Sequence, residues 1–320
     1  MPRSLWGRRT FLRAGGAAIA GTAFGISTGS AAAAIPTSER FDLATPSHDL
    51  YRAKPLHDDT VQQGFAFDNT NRRLFVAQRR NGTAEGSGDL CVSRLDFGGR
   101  QLGFMHLQGF GHGVSFGAEA VGTATYLWME TDANDHGYGR RLARFAFTDG
   151  KTLSANSTGL RKFTPVAAAS EHTCAVDPVH ERLIVRFHQN GAKHIAVYSL
   201  AAAAEGNFSA PLARFPQPDL GARKFQGYTG YGSHLYMLTG HSYPETGDVV
   251  DSEVTSVNMN TGTITQGPLL TSAGSTLPFR EPEGMAVYRT AGGEVRLFLG
   301  FASGEPGDRR SNLFFKNVLV

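Results

Sequence analysis

Gln63-Gly64-Phe65-Ala66-Phe67-Asp68 opens on a polar residue and a glycine, runs on as an alternating strand, and returns after a short turn as Arg73-Leu74-Phe75-Val76-Ala77. The unit recurs. His112-Gly113-Val114-Ser115-Phe116 precedes Tyr126-Leu127-Trp128-Met129-Glu130, and Glu171-His172-Thr173-Cys174-Ala175-Val176-Asp177 precedes Arg182-Leu183-Ile184-Val185-Arg186. Gln226-Gly227-Tyr228-Thr229-Gly230-Tyr231 leads into His234-Leu235-Tyr236-Met237-Leu238, and Glu283-Gly284-Met285-Ala286-Val287-Tyr288 into Val295-Arg296-Leu297-Phe298-Leu299. Gln63, His112, His172, Gln226 and Glu283 lie 49, 60, 54 and 57 residues apart. Each unit carries a third strand, at Leu90–Leu95, Leu142–Phe147, His194–Tyr198, Glu253–Val257 and Asn312–Phe315, with turn signals such as Asp149-Gly150 and Asn260-Thr261-Gly262 between strands. A repeat of this length with three or four antiparallel strands is a propeller blade rather than a solenoid coil. The expected fold is therefore all-β, a five-bladed β-propeller. Helical spacing is confined to Leu200–Glu205, and the 38 residues from Glu283 onward are short for a blade, so Phe41–Leu50 is expected to supply an outer strand that closes the ring.

Composition agrees. The chain has 320 residues, 41% hydrophobic and 18% charged, which suits a packed globular protein and excludes a disordered one. Two cysteines are too few for a disulfide scaffold, and Cys91 and Cys174 read as buried thiols. The formal charge of +3, less Arg3, Arg8, Arg9 and Arg13, leaves −1 for the rest, so no nucleic-acid partner is expected. Residues 1–34 read as an export signal: Arg8-Arg9-Thr10-Phe11-Leu12-Arg13 resembles a twin-arginine motif, followed by a weakly apolar Ala/Gly run and Ala32-Ala33-Ala34 as a cleavage site. That run is too polar for a stable membrane anchor. The domain organisation expected is a signal at 1–34 and one propeller over 35–320, secreted and monomeric.

In a propeller the innermost strand of each blade lines the axis, so the five polar residues that open the repeats should meet around it. A ring of Gln63, His112, Glu171 or His172, Gln226 and Glu283 needs water, hydrogen bonds or a ligand. Residues after the second strands, including Arg79, Glu130, Arg186, His241 and Tyr243, are candidates to join it from the connecting loops. Three chemistries fit. A polysaccharide lyase would use His112 or His172 as base, Arg186 or Arg79 to neutralise an acidic group, and Tyr228 or Tyr243 as proton donor. A divalent metal such as Mn²⁺ would sit on His112, His172, Gln226 and Glu283. A glycoside hydrolase would pair Glu130 with Glu283. Nucleophile elbows, phosphate-binding loops, paired-cysteine zinc sites and dinucleotide fingerprints are all missing from the sequence.

Gln63-Gly64-Phe65-Ala66-Phe67, Gln226-Gly227-Tyr228 and Glu283-Gly284-Met285-Ala286 make residues 41–320 resemble the five-bladed propellers of the teichoic-acid biosynthesis protein C type, which are similar to propellers of phage receptor-binding proteins. The resemblance implies an extracellular or cell-wall setting and an anionic glycopolymer partner; it carries no catalytic motif. The functional expectation is an axial site that binds and cleaves an anionic polysaccharide or wall polymer, by lyase-type β-elimination first and glycoside hydrolysis second, with Gln63, Arg79, Glu130, Gln226, His241, Tyr243 and Glu283 holding substrate. The alternative is a non-catalytic glycan- or teichoic-acid-binding protein.

Overall fold

The computed structural model describes residues 34–320, so the export signal falls, all but Ala34, outside the described residues. Strand β1 (His48–Lys54) comes before the first complete blade. Blade one is β2 (Gln62–Asp68), β3 (Arg73–Arg79), β4 (Leu90–Leu95) and β5 (Gln101–Gln108). Blade two holds β6 (Gly117–Val121), β7 (Ala124–Ala133) and β8 (Gly139–Ala146); β9 (Thr152–Ser154) then pairs in parallel with β5, and β10 (Arg161–Phe163) returns to β8. Blade three is β11 (Ser170–Asp177), β12 (Arg182–Gln189), β13 (Ala192–Ser199) and β14 (Ala213–Pro216), with helix α1 (Leu200–Ala204) capped by the Ser199 hydroxyl. Blade four is β15 (Phe225–Tyr231), β16 (His234–Thr239), β17 (Glu253–Asn258) and β18 (Ile264–Leu270), with a one-turn helix α2 (Tyr243–Thr246) after β16. Blade five is β19 (Glu281–Arg289), β20 (Val295–Ser303) and β21 (Arg310–Lys316), completed by β1.

The five sheets are those the repeat predicts, except that the first gains β9 as a parallel fifth strand. Alternation explains the packing. Along β3, Leu74 and Val76 face blade five, where they meet Tyr288 and Phe298, while Phe75 and Ala77 face blade two, where they meet Leu127 and Met129. Both faces of a blade are therefore buried, and the core is five apolar wedges, one between each neighbouring pair of blades. Each fully buried aromatic, such as Trp128 or Phe298, contributes roughly 1.5–3 kcal/mol of transfer free energy. Cys91 and Cys174 lie in different blades, buried as separate thiols.

Two boundaries differ from expectation. Ring closure runs over His48–Lys54 on β21, beyond Phe41–Leu50; Phe41 makes only an isolated bridge to Leu319, because a turn through Asp42–Thr45 interrupts the extended chain. The second repeat begins off the strand: His112–Phe116 is irregular and β6 starts at Gly117. There the carboxylate of Glu130 accepts the Gly113 N–H at 2.7 Å and satisfies a backbone donor outside any ladder. Among the described residues, no helix is long and apolar enough to cross a membrane.

Candidate functional site

Four of the five inner strands carry a β-bulge at the polar residue that opens the repeat. Pairing slips between Gln62 and Gly64, between Ser170 and Thr173, between Phe225 and Gly227, and between Pro282 and Met285. A bulge breaks the in-out parity of a strand and re-aims the side chain within it. The ring therefore does not form as five equivalent groups. Beneath it, main chain meets main chain: a Cβ placed on Gly284 would stand 2.7 Å from Gly64 Cα, one on Gly227 2.8 Å from Gly284 Cα, and one on Gly64 2.6 Å from the Gly113 carbonyl oxygen. Ser115 Oγ accepts the Tyr228 N–H at 3.0 Å, joining blades two and four across the axis.

Above this floor lies a cavity of about 350 Å³, lined from four blades. Gln63 and Arg79 come from blade one, His112 from the approach to β6, Lys224 from the start of blade four, and Glu281 and Glu283 from the start of β19. Loops add Asp59, Thr60, Glu85, Asp89 and Arg309. Thus Gln63, Arg79, His112 and Glu283, all expected from sequence, are brought together. Glu283 is 3% exposed; burial first, and the neighbouring Glu281 second, raise its proton affinity well above the usual carboxyl range. It therefore holds its proton to higher pH than an exposed carboxyl does. Burial, then the charges of Lys224 and Arg79, pull the His112 imidazole below its ordinary value, so it is neutral; its ring stacks on Tyr138 at 5.7 Å. Desolvation disfavours the Lys224 ammonium, but the Glu281 carboxylate at 2.9 Å outweighs it and leaves the amine more basic than usual. Arg79 is exposed and has no carboxylate partner among the described residues.

The remaining candidates are built into the protein instead. His172 is fully buried, with Nδ1 2.9 Å from the Arg140 carbonyl oxygen, and so is not a base facing the cavity. Tyr228 is fully buried; its hydroxyl accepts the Arg186 N–H at 3.1 Å and donates to the Ile184 carbonyl at 3.3 Å, which makes it a brace of blade three rather than a proton donor. Arg186 packs over the Phe225 ring at 3.9 Å and donates to Gln217 at 2.7 Å. Gln226 donates to the Gly240 carbonyl at 3.1 Å. His241 is paired with Asp251 at 2.7 Å, and the Tyr243 hydroxyl donates to the Ser275 carbonyl at 2.8 Å. Glu130 spends both oxygens on backbone, Oε1 on Gly113 and Oε2 on Gly139. Consequently His112, His172, Gln226 and Glu283 do not share one metal-ligand sphere, and Glu130 is not free to act as a partner to Glu283. Sequence reasoning missed Lys224 and Glu281, each two residues before a residue it did single out; period-2 alternation was the signal available. Asp59, Glu85, Asp89 and Arg309 sit in loops and carry no such signal.

The model of the phage five-bladed β-propeller receptor-binding platform domain matches residues 61–315. A Bacillus subtilis (strain 168) protein named for major teichoic acid biosynthesis, protein C, is 29% identical over 286 residues, which is 86% of this chain; the chain spans 64% of that relative's length. The tail fibre of Staphylococcus aureus phage P68 superposes with a TM-score of 0.69 at 20% identity, over 87% of this chain and 54% of the fibre chain. A GH43_1 enzyme from Xanthomonas citri overlaps more loosely, with a TM-score of 0.45 at 12% identity, over 83% of this chain and 89% of that one.

Proposed function

The chain belongs to the phage five-bladed β-propeller receptor-binding platform family, and from that membership we propose that its axial cavity binds a wall glycopolymer whose repeating unit carries both hydroxyl and anionic groups. The observation that carries the reading is the convergence of Arg79, Lys224 and Arg309, from three blades, on one cavity that also holds the buried carboxyl of Glu283. The lining is mixed rather than uniformly basic, since Asp59, Glu85, Asp89 and Glu281 share it. Such a lining suits a polyol or sugar: carboxylates and Gln63 accept from hydroxyls, Glu283 donates, and the unpaired Arg79 takes a phosphate or carboxylate oxygen. The teichoic acid relative supports a polyol phosphate as ligand. Export through the Arg8-Arg9 signal, which would bring the propeller to such a polymer, is part of the same proposal.

Purified protein should be retained on immobilised teichoic acid, with binding weakened by salt, and not on a neutral glucan. Arg79→Ala should reduce affinity about tenfold, the scale of one charge-assisted contact. Retention unchanged in Arg79→Ala, Lys224→Ala and Arg309→Ala together would place the site elsewhere, and no retention on any wall polymer would overturn the reading. Cleavage is the second reading, favoured by a buried carboxyl of raised proton affinity and an imidazole of lowered proton affinity in one cavity. It requires product masses that vanish in Glu283→Gln while binding persists. The lyase form of it lacks His172, Arg186 and Tyr228, which are committed to the bonds described above.

A further inference from the structure

The loop between β1 and β2 brings His57 and Asp58 against His106 of β5, away from the glycine floor. One ligand-type atom from each lies within 4.8 Å of the other two, the only such group of three among the described residues. We infer that His57, Asp58 and His106 form a binding site for a divalent transition-metal ion of the zinc type, held by two imidazole nitrogens and one carboxylate oxygen, with the fourth position open to water.

Each ligand is already fixed. Asp58 is buried; its N–H donates to Gln78 Oε1 at 3.3 Å, and Gln78 Nε2 donates to its carbonyl oxygen at 2.8 Å. Asp58 Oδ2 accepts the Asn81 N–H at 2.7 Å, while Oδ1 is left facing His57 Nε2 at 4.0 Å. The His57 ring stacks on Phe104 with centroids 3.5 Å apart and planes 10° from parallel, and its Nδ1 lies 3.3 Å from the Gln101 side-chain amide. Ligation through Nε2 requires Nδ1 to carry the ring proton, so the Gln101 amide must turn over and present its oxygen to Nδ1–H when the ion binds. His106 Nε2 is buried and has no hydrogen-bond partner, an arrangement that a purely structural role does not explain and that a bound cation would satisfy. Metal–ligand bonds of about 2.0–2.2 Å put ligand atoms roughly 3.3 Å apart. The present spacing, within 4.8 Å, has to close by roughly 1.5 Å when the ion binds. Two nitrogens and one oxygen around an open tetrahedral position suit zinc better than magnesium or calcium. The ion would pin the β1–β2 loop, whose next residues, Asp59 and Thr60, form part of the cavity rim.

The test uses untagged protein, stripped with chelator, dialysed, and titrated with zinc by calorimetry at neutral pH in a non-coordinating buffer. One ion should bind per chain with micromolar or tighter affinity, and cobalt should give the visible absorption of a four-coordinate ion. His57→Ala and Asp58→Asn should each weaken binding at least about tenfold and remove the cobalt spectrum. His57 lies at the loop surface, so its variant should stay folded, which thermal unfolding in chelator verifies. Failure to saturate at one ion per chain, or undiminished binding in both variants, overturns the site whatever polymer the cavity binds.

Discussion

Replacing Glu130 by glutamine decides which of two opposing forces sets the proton affinity of this carboxyl. It is fully buried on β7, and its oxygens lie 2.7 Å from the Gly113 nitrogen and 2.6 Å from the Gly139 nitrogen. Desolvation pushes its pKa up to about 7, outweighing the backbone donors and the Arg186 charge, all of which favour the anion. The unfolded group titrates at its ordinary 4.5. Between those values the native state holds a proton that the unfolded chain has released. The contribution to stability is therefore complete below pH 4.5 and is lost as the pH rises through 7. A gap of roughly 2.5 units at 1.36 kcal/mol each makes the loss about 3 kcal/mol. Glutamine has the shape of the neutral acid and does not titrate; its amide nitrogen faces one of the two backbone N–H groups, a cost that is the same at every pH and leaves the change with pH as the readout. Glu283, which acts in the same sense, and His112 and His172, whose lowered affinities act in the opposite one, are present in both proteins and cancel in the difference. From pH 4.5 to 8, E130Q should gain about 3 kcal/mol on the parent, or about 6 °C in melting temperature by calorimetry for a chain of this size. Urea titrations at both pH values check the free energy directly. A difference that stays flat, or a variant that loses ground as the pH rises, would mean that the backbone donors prevail and the carboxylate is charged throughout.

Gly284→Ala should lose at least about 2 kcal/mol in urea unfolding, because φ is +82° and the new Cβ meets the Gly64 main chain, which cannot give way. Gly122→Ala, at φ +58° with open space around it, should lose only about 1 kcal/mol, and equal losses at the two sites would refute the axial packing argument. Arg280 is fully buried, with its guanidinium donating to the Thr271 and Ala273 carbonyls and to Ser252 Oγ, so Arg280→Met should lose roughly 3 kcal/mol by stranding those acceptors. Deleting residues 34–54 removes β1 and bares the edge of β21, so the protein should aggregate on size-exclusion chromatography; a monodisperse product with an unchanged melting point would show that β1 does not close the ring.

The blades were legible because the first two strands of most blades, such as β2 and β3, are buried on both faces. Runs such as Leu74-Phe75-Val76-Ala77 carry a strand signal wherever they fall, and five spaced copies leave few architectures. The site was legible only in part. Gln63 and Glu283 announce themselves by opening a repeat, but the bulge at that position decides by local backbone geometry whether a side chain enters the cavity or turns into the protein, as Gln226 and His172 do. Nothing in the residue type distinguishes the two outcomes. Tyr228 and Arg186 look catalytic by chemistry alone; their actual role, bracing β12 against β15, depends on contacts between blades that no single repeat contains.

The glycine layer at the axis makes the cavity a blind well. Main chain from Gly64, Gly227 and Gly284 closes the axis beside Gln63 and Glu283, which line the cavity, and rotamer changes cannot unblock it, so only a parting of whole blades would open a bore through the ring. A long polymer cannot be threaded through such a body. It must present a terminus or a pendant group to the well, or lie across the mouth while one unit dips in, and the length of strand engaged at once is set by the rim loops alone.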